Sequence, residues 1–178
     1  RAYVFHGSAT GLSASPAWIA ESDQASANIG FSVASAGDVN GDGYADVIVG
    51  AYNFDNGQTD EGRAYVFHGS ATGLSASPAW TAESDQATAF FGASVSSAGD
   101  VNGDGYADVI VGAYYFDNGQ SDEGRAYVYY GGGGAGLSIN PQQKRANEDA
   151  PISVQGIADD VDGFNLVLTA RLPVGRTK

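Results

Sequence analysis

The feature that most constrains this chain is an internal repeat. Residues 1–62 and 63–124 align without gaps and differ at only eight positions, and a third copy begins at Arg125–Tyr130. A fixed period of this kind predicts one supersecondary unit used several times, with each copy stacking on the next to bury its apolar faces. The 178 residues are therefore expected to form a repeat array.

Within a copy, short apolar stretches bounded by glycine, proline and Asp/Asn clusters predict β-strands. In the second strand-forming unit, which runs from the second copy into the third, strands are predicted at 93–97, 108–113 and 125–130, and a fourth after Leu137. The run at 108–112 is almost continuously apolar, which is typical of a strand packed on both faces. With 26 glycines, the composition also favours all-β structure. Four antiparallel strands per copy predict the blade of a β-propeller.

The phase of the repeat predicts that the chain begins inside a blade, on its third strand. Residues 1–27 are assigned to the end of one blade, 28–89 to a complete blade, 90–146 to another blade, and 147–178 to a β-rich tail outside the repeat. Because propellers typically have four to eight blades, an incomplete ring is expected. The tail resembles the opening of sandwich-like modules. The chain is also expected to be a piece of a longer product, since it begins within a repeat.

Charge and composition exclude several classes of function. Asp and Glu number 21 against eight Lys and Arg, and the formal net charge of −13 disfavours nucleic acid and anionic lipid as partners while attracting cations. The absence of cysteine excludes a disulfide framework, a thiolate zinc site and a thiol nucleophile. No apolar run reaches the roughly 18 residues that a membrane helix needs, so membrane insertion is not expected.

The nonapeptide DVNGDGYAD occurs twice, at Asp38–Asp46 and at Asp100–Asp108. Its first, third, fifth and ninth residues carry side-chain oxygens, its sixth is a glycine that permits a sharp bend, and its seventh can offer a backbone carbonyl. Such hard oxygen donors are the ligands that calcium prefers. The candidate ligands of the two sites are Asp38, Asn40, Asp42, Tyr44 and Asp46, and Asp100, Asn102, Asp104, Tyr106 and Asp108.

A single loop of this composition could be a solvated acidic turn. Its recurrence at one place in each repeat, between strand-like segments, favours calcium. An EF-hand is disfavoured because the loop closes with Asp at position 9 rather than Glu at position 12, and because strands flank it. An ion bound in a loop that joins two strands would add its binding free energy to the free energy of folding.

Several motifs of the second copy resemble the FG-GAP repeat of integrin α-subunit propellers and of many bacterial secreted and surface proteins. They are Phe91-Gly92, Ser94-Val95, Ala98-Gly99-Asp100, the acidic loop and Val111-Gly112-Ala113. The first copy departs only in having Ile29-Gly30, and the resemblance extends from Arg1 to about Arg145. It implies propeller blades with calcium held by the ten residues named above. In that family the propeller is usually an adhesion or ligand-binding platform, although some members attach it to an enzyme.

Histidine and tryptophan recur in the repeat and invite other interpretations. His6 and His68 have no second partner at a fixed spacing, so they are interpreted as packed or surface strand residues rather than as catalytic or metal groups. Trp18 and Trp80 could stack on sugars, but we predict that each packs against the adjoining blade.

The segments 54–57 and 116–119, continued by Asp60-Glu61 and Asp122-Glu123, predict exposed turns in which Asn-Gly supplies a positive φ. A second cation site in these turns is the weaker alternative. The stretch 160–164 is too short to be a third calcium loop. No GxSxG elbow and no ordered Ser, His and Asp set is present, so an enzyme is not predicted.

The leading hypothesis is a calcium-stabilised, non-enzymatic propeller segment of a secreted or cell-surface protein, of bacterial type. It would act as an adhesive or structural scaffold with a protein or glycan ligand. One alternative is a subunit of an extracellular polymer or fibre, joined through repeats and tail strands. Another is an accessory region of a secreted hydrolase.

Overall fold

The computed structural model describes residues 1–132 and two further strands, at 138–144 and 165–171. The described part contains only β-structure, in thirteen strands. They are β1 (Ala2–Val4), β2 (Gly7–Ser8), β3 (Gly11–Leu12), β4 (Trp18–Ala20), β5 (Ser32–Gly37), β6 (Asp46–Ala51), β7 (Arg63–Phe67), β8 (Trp80–Glu83), β9 (Phe91–Gly99), β10 (Asp108–Ala113), β11 (Arg125–Tyr129), β12 (Ser138–Lys144) and β13 (Asn165–Arg171). No helix within these residues is long and apolar enough to cross a membrane.

Strands β5, β6, β7 and β8 form a four-stranded antiparallel sheet in sequence order, which we name blade 2. Its second strand, β6, is almost entirely buried because it has a neighbour on each side and packed side chains on both faces. The apolar run of DVIVGA follows from this position, since neither face of the strand meets water. The complete repeat is thus one propeller-type blade, as the sequence predicts.

Two partial sheets lie on either side of blade 2. Blade 3 consists of β9, β10 and β11 in the same antiparallel order. Blade 1 is the pair β1 and β4, with Ala2 opposite Ala20, and these strands correspond to the third and fourth strands of blade 2. The two strands thus take the third and fourth places of a blade, and the assignment of residues 1–27 to the end of a blade stays a prediction. The small hairpin of β2 and β3 was not predicted.

The strand predicted after Leu137 is present as β12, but it pairs with β13 and not with β11. In the complete blade, the fourth strand begins with Trp80, whose ring packs against Tyr129 with a centroid distance of 4.7 Å. The third copy has Gln143 at the tryptophan position, so it lacks the aromatic side chain that packs the fourth strand against the next blade. Strand β13 lies in the tail that the sequence assigns as β-rich. The other assignments in the tail, including the rejected loop at 160–164, lie outside the described residues.

The hydrophobic core lies between the blades. Phe91 is fully buried at the centre of one cluster, where it joins Ile48 and Val66 of blade 2 to Val111 of blade 3. A second cluster joins blade 1 to blade 2; its buried members are Ala2, Ala20, Ile29, Val49, Ala51, Tyr65 and Phe67. The blades therefore stack face to face, and within the described part they form an incomplete ring.

Both tryptophans pack against the next blade, as predicted. The ring of Trp18 meets the edge of Phe67 at a centroid distance of 4.7 Å, and its Nε1–H donates a hydrogen bond to the carbonyl of Ser75 at 3.0 Å. This use of the indole buries its apolar body and satisfies its one polar atom.

Candidate metal centre

Each DVNGDGYAD loop joins the first and second strands of its blade, β5 to β6 and β9 to β10. The chain must turn back on itself within a few residues. Gly41 and Gly43 adopt φ values of 73° and 89°, and Gly103 and Gly105 adopt 75° and 93°. Glycine takes this left-handed conformation without the steric penalty of a Cβ, which explains why both positions of the bend are glycine.

The first aspartate of each loop organises the bend. The N–H groups of Gly41 and Asp42 donate to Asp38 Oδ1 at 2.7 and 3.1 Å, and that of Gly43 donates to Oδ2 at 2.8 Å. Asp100 accepts the equivalent three bonds at 2.7, 3.0 and 2.8 Å. Backbone donors thus hold both oxygens of this carboxylate in place.

The third and fifth residues of the loop bond to each other. Asn40 Nδ2 donates to Asp42 Oδ2 at 2.9 Å, Asn40 Oδ1 accepts the N–H of Asp42 at 3.1 Å, and Asp42 Oδ1 accepts the N–H of Tyr44 at 2.9 Å. The second loop repeats all three bonds, at 2.9, 3.0 and 3.0 Å. The conformation is therefore a property of the nonapeptide, because two copies in different surroundings adopt it.

The last aspartate connects the loop to the third strand of its blade. Asp46 is fully buried, and its Oδ2 accepts the N–H of Val39 at 2.8 Å while its Oδ1 accepts the N–H of Gly69, just beyond β7, at 2.7 Å. Asp108 bonds Val101 and Gly131 in the same way, at 2.7 and 2.9 Å. The sequence does not predict this second role of the aspartate, since nothing local indicates a partner 23 residues away.

Burial raises the pKa of Asp46, and the N–H groups of Gly69 and Val39 and the nearby His68 partly offset that rise. Burial disfavours the charged form of a carboxyl group, whereas hydrogen bonds to the carboxylate favour it. Burial therefore destabilises the charged form of Asp46 by more than the two backbone hydrogen bonds stabilise it.

The two loops differ in what surrounds them. The carbonyl of Asp38 accepts the N–H of Ala107 at 2.9 Å, and Gly41 lies against the ring of Tyr106. The first loop is thus buttressed by the second, and Asp38 is half-buried whereas Asp100 is exposed. Identical sequences occupy unequal environments because the blades stack in one direction.

The donor chemistry of each loop fits a hard cation. Its side-chain ligand atoms are all oxygens, and the carboxylate oxygens that accept a single N–H, such as Oδ2 of Asp38 and of Asp100, retain a second lone pair. In the described part of the chain, however, no three His, Cys, Asp or Glu side chains are arranged to hold an ion, and the carboxylates turn towards backbone N–H groups. The structure brings the predicted residues together in two loops, and their assignment as calcium ligands stays a prediction.

The prediction of exposure for the segment 54–61 is wrong in part. Asn56 and Gly57 lie in an exposed turn, and Gly57 has the predicted positive φ, at 102°. Glu61, by contrast, is fully buried at the junction with blade 3, although it was predicted to be exposed. Its equivalent Glu123 is exposed, because no further blade covers it in the described structure.

Comparison with known proteins agrees with this architecture. Residues 30–67 and 91–129 match the family model of the FG-GAP repeat. Blades 2 and 3 are FG-GAP repeats. The chain is similar to integrin alpha-5 of Xenopus laevis, at 33% identity over 141 residues that cover 77% of this chain and 13% of the relative.

Two further relatives show the same pattern. Integrin alpha-3 of Cricetulus griseus is 36% identical over 127 residues, or 70% of this chain and 11% of the relative. Integrin alpha pat-2 of Caenorhabditis briggsae is 42% identical over 93 residues, or 50% and 7%. This FG-GAP chain thus spans about an eighth or less of the length of these relatives, and it matches them through its repeats.

Proposed function

We propose that this chain is part of a calcium-stabilised extracellular scaffold of FG-GAP blades, which serves adhesion or structure rather than catalysis. The observation that carries the proposal is the bonding of the last loop aspartate. Asp46 and Asp108 each join the loop to the exit of the third strand. A cation held in the loop would therefore be connected to three strands of the blade.

The residues that would hold the ion are those of each nonapeptide: Asp38, Asn40, Asp42, the carbonyl of Tyr44 and Asp46, with their equivalents at 100–108. Calcium would supply a positive charge that offsets the mutual repulsion of three carboxylates, which amounts to about 1 kcal/mol per pair at 4 Å even in bulk water. The chain's own contribution is to orient the carboxylates by the backbone bonds described above. Extracellular calcium is high enough to occupy modules with a Kd of about 10⁻⁴ to 10⁻³ M.

A surface role in adhesion rests on the similarity to integrin α-subunits, and the partner would be a protein or a glycan. The net charge of −13 argues against a polyanionic partner such as nucleic acid. The sequence contains no GxSxG elbow and no ordered Ser, His and Asp set, which favours a scaffold over an enzyme.

Thermal unfolding with and without calcium tests the proposal. At calcium about ten times the Kd, each site should add roughly 1.4 kcal/mol to the free energy of unfolding. The double variant Asp42→Asn/Asp104→Asn removes two exposed carboxylates while keeping an oxygen to accept the N–H of the following tyrosine. We expect it to fold without calcium and to lose most of the calcium-dependent rise in Tm.

Asp23→Asn is the matched control, because Asp23 is an exposed carboxylate outside the loops. It should respond to calcium as the wild type does. An unchanged Tm on chelation of the wild type would overturn the calcium proposal, and an equal response to magnesium would overturn its specificity.

A second candidate, the polymer subunit, is favoured by the outer faces of blades 1 and 3. Tyr3 on the outer face of blade 1 is 49% exposed, whereas its equivalent in blade 2, Tyr65, is 8% exposed. Val128 on the outer face of blade 3 is 46% exposed, whereas Val66 is 2% exposed. Tyr65 is buried against blade 1 and Val66 against blade 3, so side chains that are buried inside the stack have their equivalents presented outwards at its two ends.

A further inference from the structure

The chain contains four Asn-Gly dipeptides, a combination prone to spontaneous modification. They are Asn40-Gly41, Asn56-Gly57, Asn102-Gly103 and Asn118-Gly119. The backbone nitrogen of the glycine can attack Cγ of the asparagine, since glycine has no side chain to hinder it. The N–Cγ bond forms, the Cγ–Nδ2 bond breaks and ammonia leaves. Water then opens the resulting succinimide to aspartate or isoaspartate. Water is the only co-reactant.

Attack requires that the glycine nitrogen be available and that the asparagine amide be able to rotate. In the two acidic loops neither condition holds. Gly41 and Gly103 each donate their N–H to a loop aspartate at 2.7 Å. The amides of Asn40 and Asn102 are held at both oxygen and nitrogen by the next aspartate. The loops therefore protect their own asparagines.

In blade 2, the turn between β6 and β7, which contains Asn56, is held by two glutamates. The N–H of Asn56 donates to Oε1 of the buried Glu61 at 2.5 Å, and Asn56 Nδ2 donates to Glu83 Oε1 at 3.2 Å. Arg63 also bonds to Glu83, which fixes the position of that carboxylate. The amide of Asn56 is thus restrained although the residue is exposed.

In blade 3, the equivalent turn between β10 and β11, which contains Asn118, has the same sequence, FDNGQ, but lacks these restraints. Neither of the two bonds made by Asn56 has a counterpart at Asn118 among the described residues, and Glu123 is exposed where Glu61 is buried. The counterpart of Glu83 in the third copy is Ala146, so the sequence itself lacks the acceptor. Gly119 lies in open space with a φ of 104°, as Gly57 does with a φ of 102°, so the two turns differ at the asparagine and not at the glycine.

We propose that Asn118 is the site at which the folded chain undergoes spontaneous deamidation, while Asn40, Asn56 and Asn102 are protected. The product adds a carboxylate beside Asp117 to a chain whose net charge is already −13. The modified turn joins the second and third strands of blade 3. It therefore lies at the opposite end of the blade from the acidic loop, and the modification leaves that loop intact.

Peptide mass spectrometry after incubation at mildly alkaline pH tests the proposal, because exchange of NH₂ for OH changes the mass at each asparagine. In denaturant, Asn56 and Asn118 should react equally fast, since they share their flanking residues. In the folded chain, Asn118 should react at least about fivefold faster than Asn56, the rate equivalent of one typical net hydrogen bond. Asn40 and Asn102 should be slower still.

The variant Glu83→Ala should raise the rate at Asn56 towards that at Asn118 and leave Asn118 unchanged. A variant that had merely unfolded would also accelerate Asn40 and Asn102, so the two causes are distinguishable. Equal rates at Asn56 and Asn118 in the folded wild type would overturn the proposal, and this comparison needs no variant.

Discussion

Glu61 and Glu123 occupy the same position of the repeat, yet only Glu61 is buried. Burial raises the pKa of Glu61, the N–H groups of Asn56 and Gln58 oppose that rise, and the neighbouring Glu83 and Asp85 add to it. Oε2 of Glu61 is buried with no partner among the described residues. The charged form of Glu61 is therefore a local source of instability.

We predict that Glu61→Gln stabilises the chain at neutral pH by on the order of 1 kcal/mol, because a buried and poorly satisfied charged group costs more than a neutral one. Glutamine keeps an oxygen for the N–H of Asn56 and carries no charge. The folded state holds the Glu61 proton more tightly than the unfolded state does. Wild-type stability from this group is therefore full below the unfolded pKa and is lost as the pH rises through the folded pKa.

The advantage of Glu61→Gln should accordingly grow as the pH rises above about 4, the pKa of an unfolded glutamate. Urea unfolding at a series of pH values measures it, and Glu123→Gln is the control that should show no such growth. A constant difference across the pH range would contradict the assignment.

At the scale of single residues, the sequence predicts which side chains share a loop better than it predicts how deeply each side chain is buried. The spacing of Asp38, Asn40 and Asp42 is enough to predict one loop that contains all three. The burial of Glu61 and the bond from Gly69 to Asp46 depend on residues far along the chain, and two identical copies differ in burial. No local pattern could have indicated these features.

At the scale of the strands, Gly50 of β6 and Gly112 of β10 form a natural comparison, since both lie in the sequence DVIVGA. A Cβ at Gly50 would overlap the backbone carbonyl of Gly92 in blade 3. A Cβ at Gly112 would meet chiefly the hydroxyl of Ser94, which can rotate away. Glycine at position 50 therefore sets the close approach of blades 2 and 3.

We predict that Gly50→Ala destabilises the chain by about 2–3 kcal/mol, as overpacking of a rigid site does, and that Gly112→Ala costs less than about 1 kcal/mol. Chemical denaturation of both variants measures the difference. Equal losses would indicate that the effect comes from the glycine backbone and not from the contact between blades.

The strands themselves follow from the sequence wherever the apolar run is continuous. Strand β10 was predicted with its exact bounds, and β9 was predicted within a longer observed strand. The pairing of β12 was not predictable, since its partner β13 lies outside the repeat. Strand formation is local, whereas the choice of a neighbouring strand is set by tertiary contacts.

At the scale of the whole molecule, the blades stack in one direction. Each blade therefore has one face that carries the repeat position of Tyr65 and an opposite face that carries the position of Val66. In the stack these faces bury each other. A contact between the outer face of blade 1 and the outer face of blade 3 of another copy would be heterologous, and such contacts generate rings or open filaments. The charge of −13 opposes that association until salt screens it.

We predict that the chain self-associates as concentration and salt increase, which multi-angle light scattering measures as a rising mean mass. Val128→Asp places a charge on the outer face of blade 3 and should keep the chain monomeric under the same conditions. Leu12→Asp is the control, because Leu12 is an exposed apolar residue of the small hairpin. Leu12→Asp should associate like the wild type. A wild type that stays monomeric at high salt would contradict the polymer hypothesis.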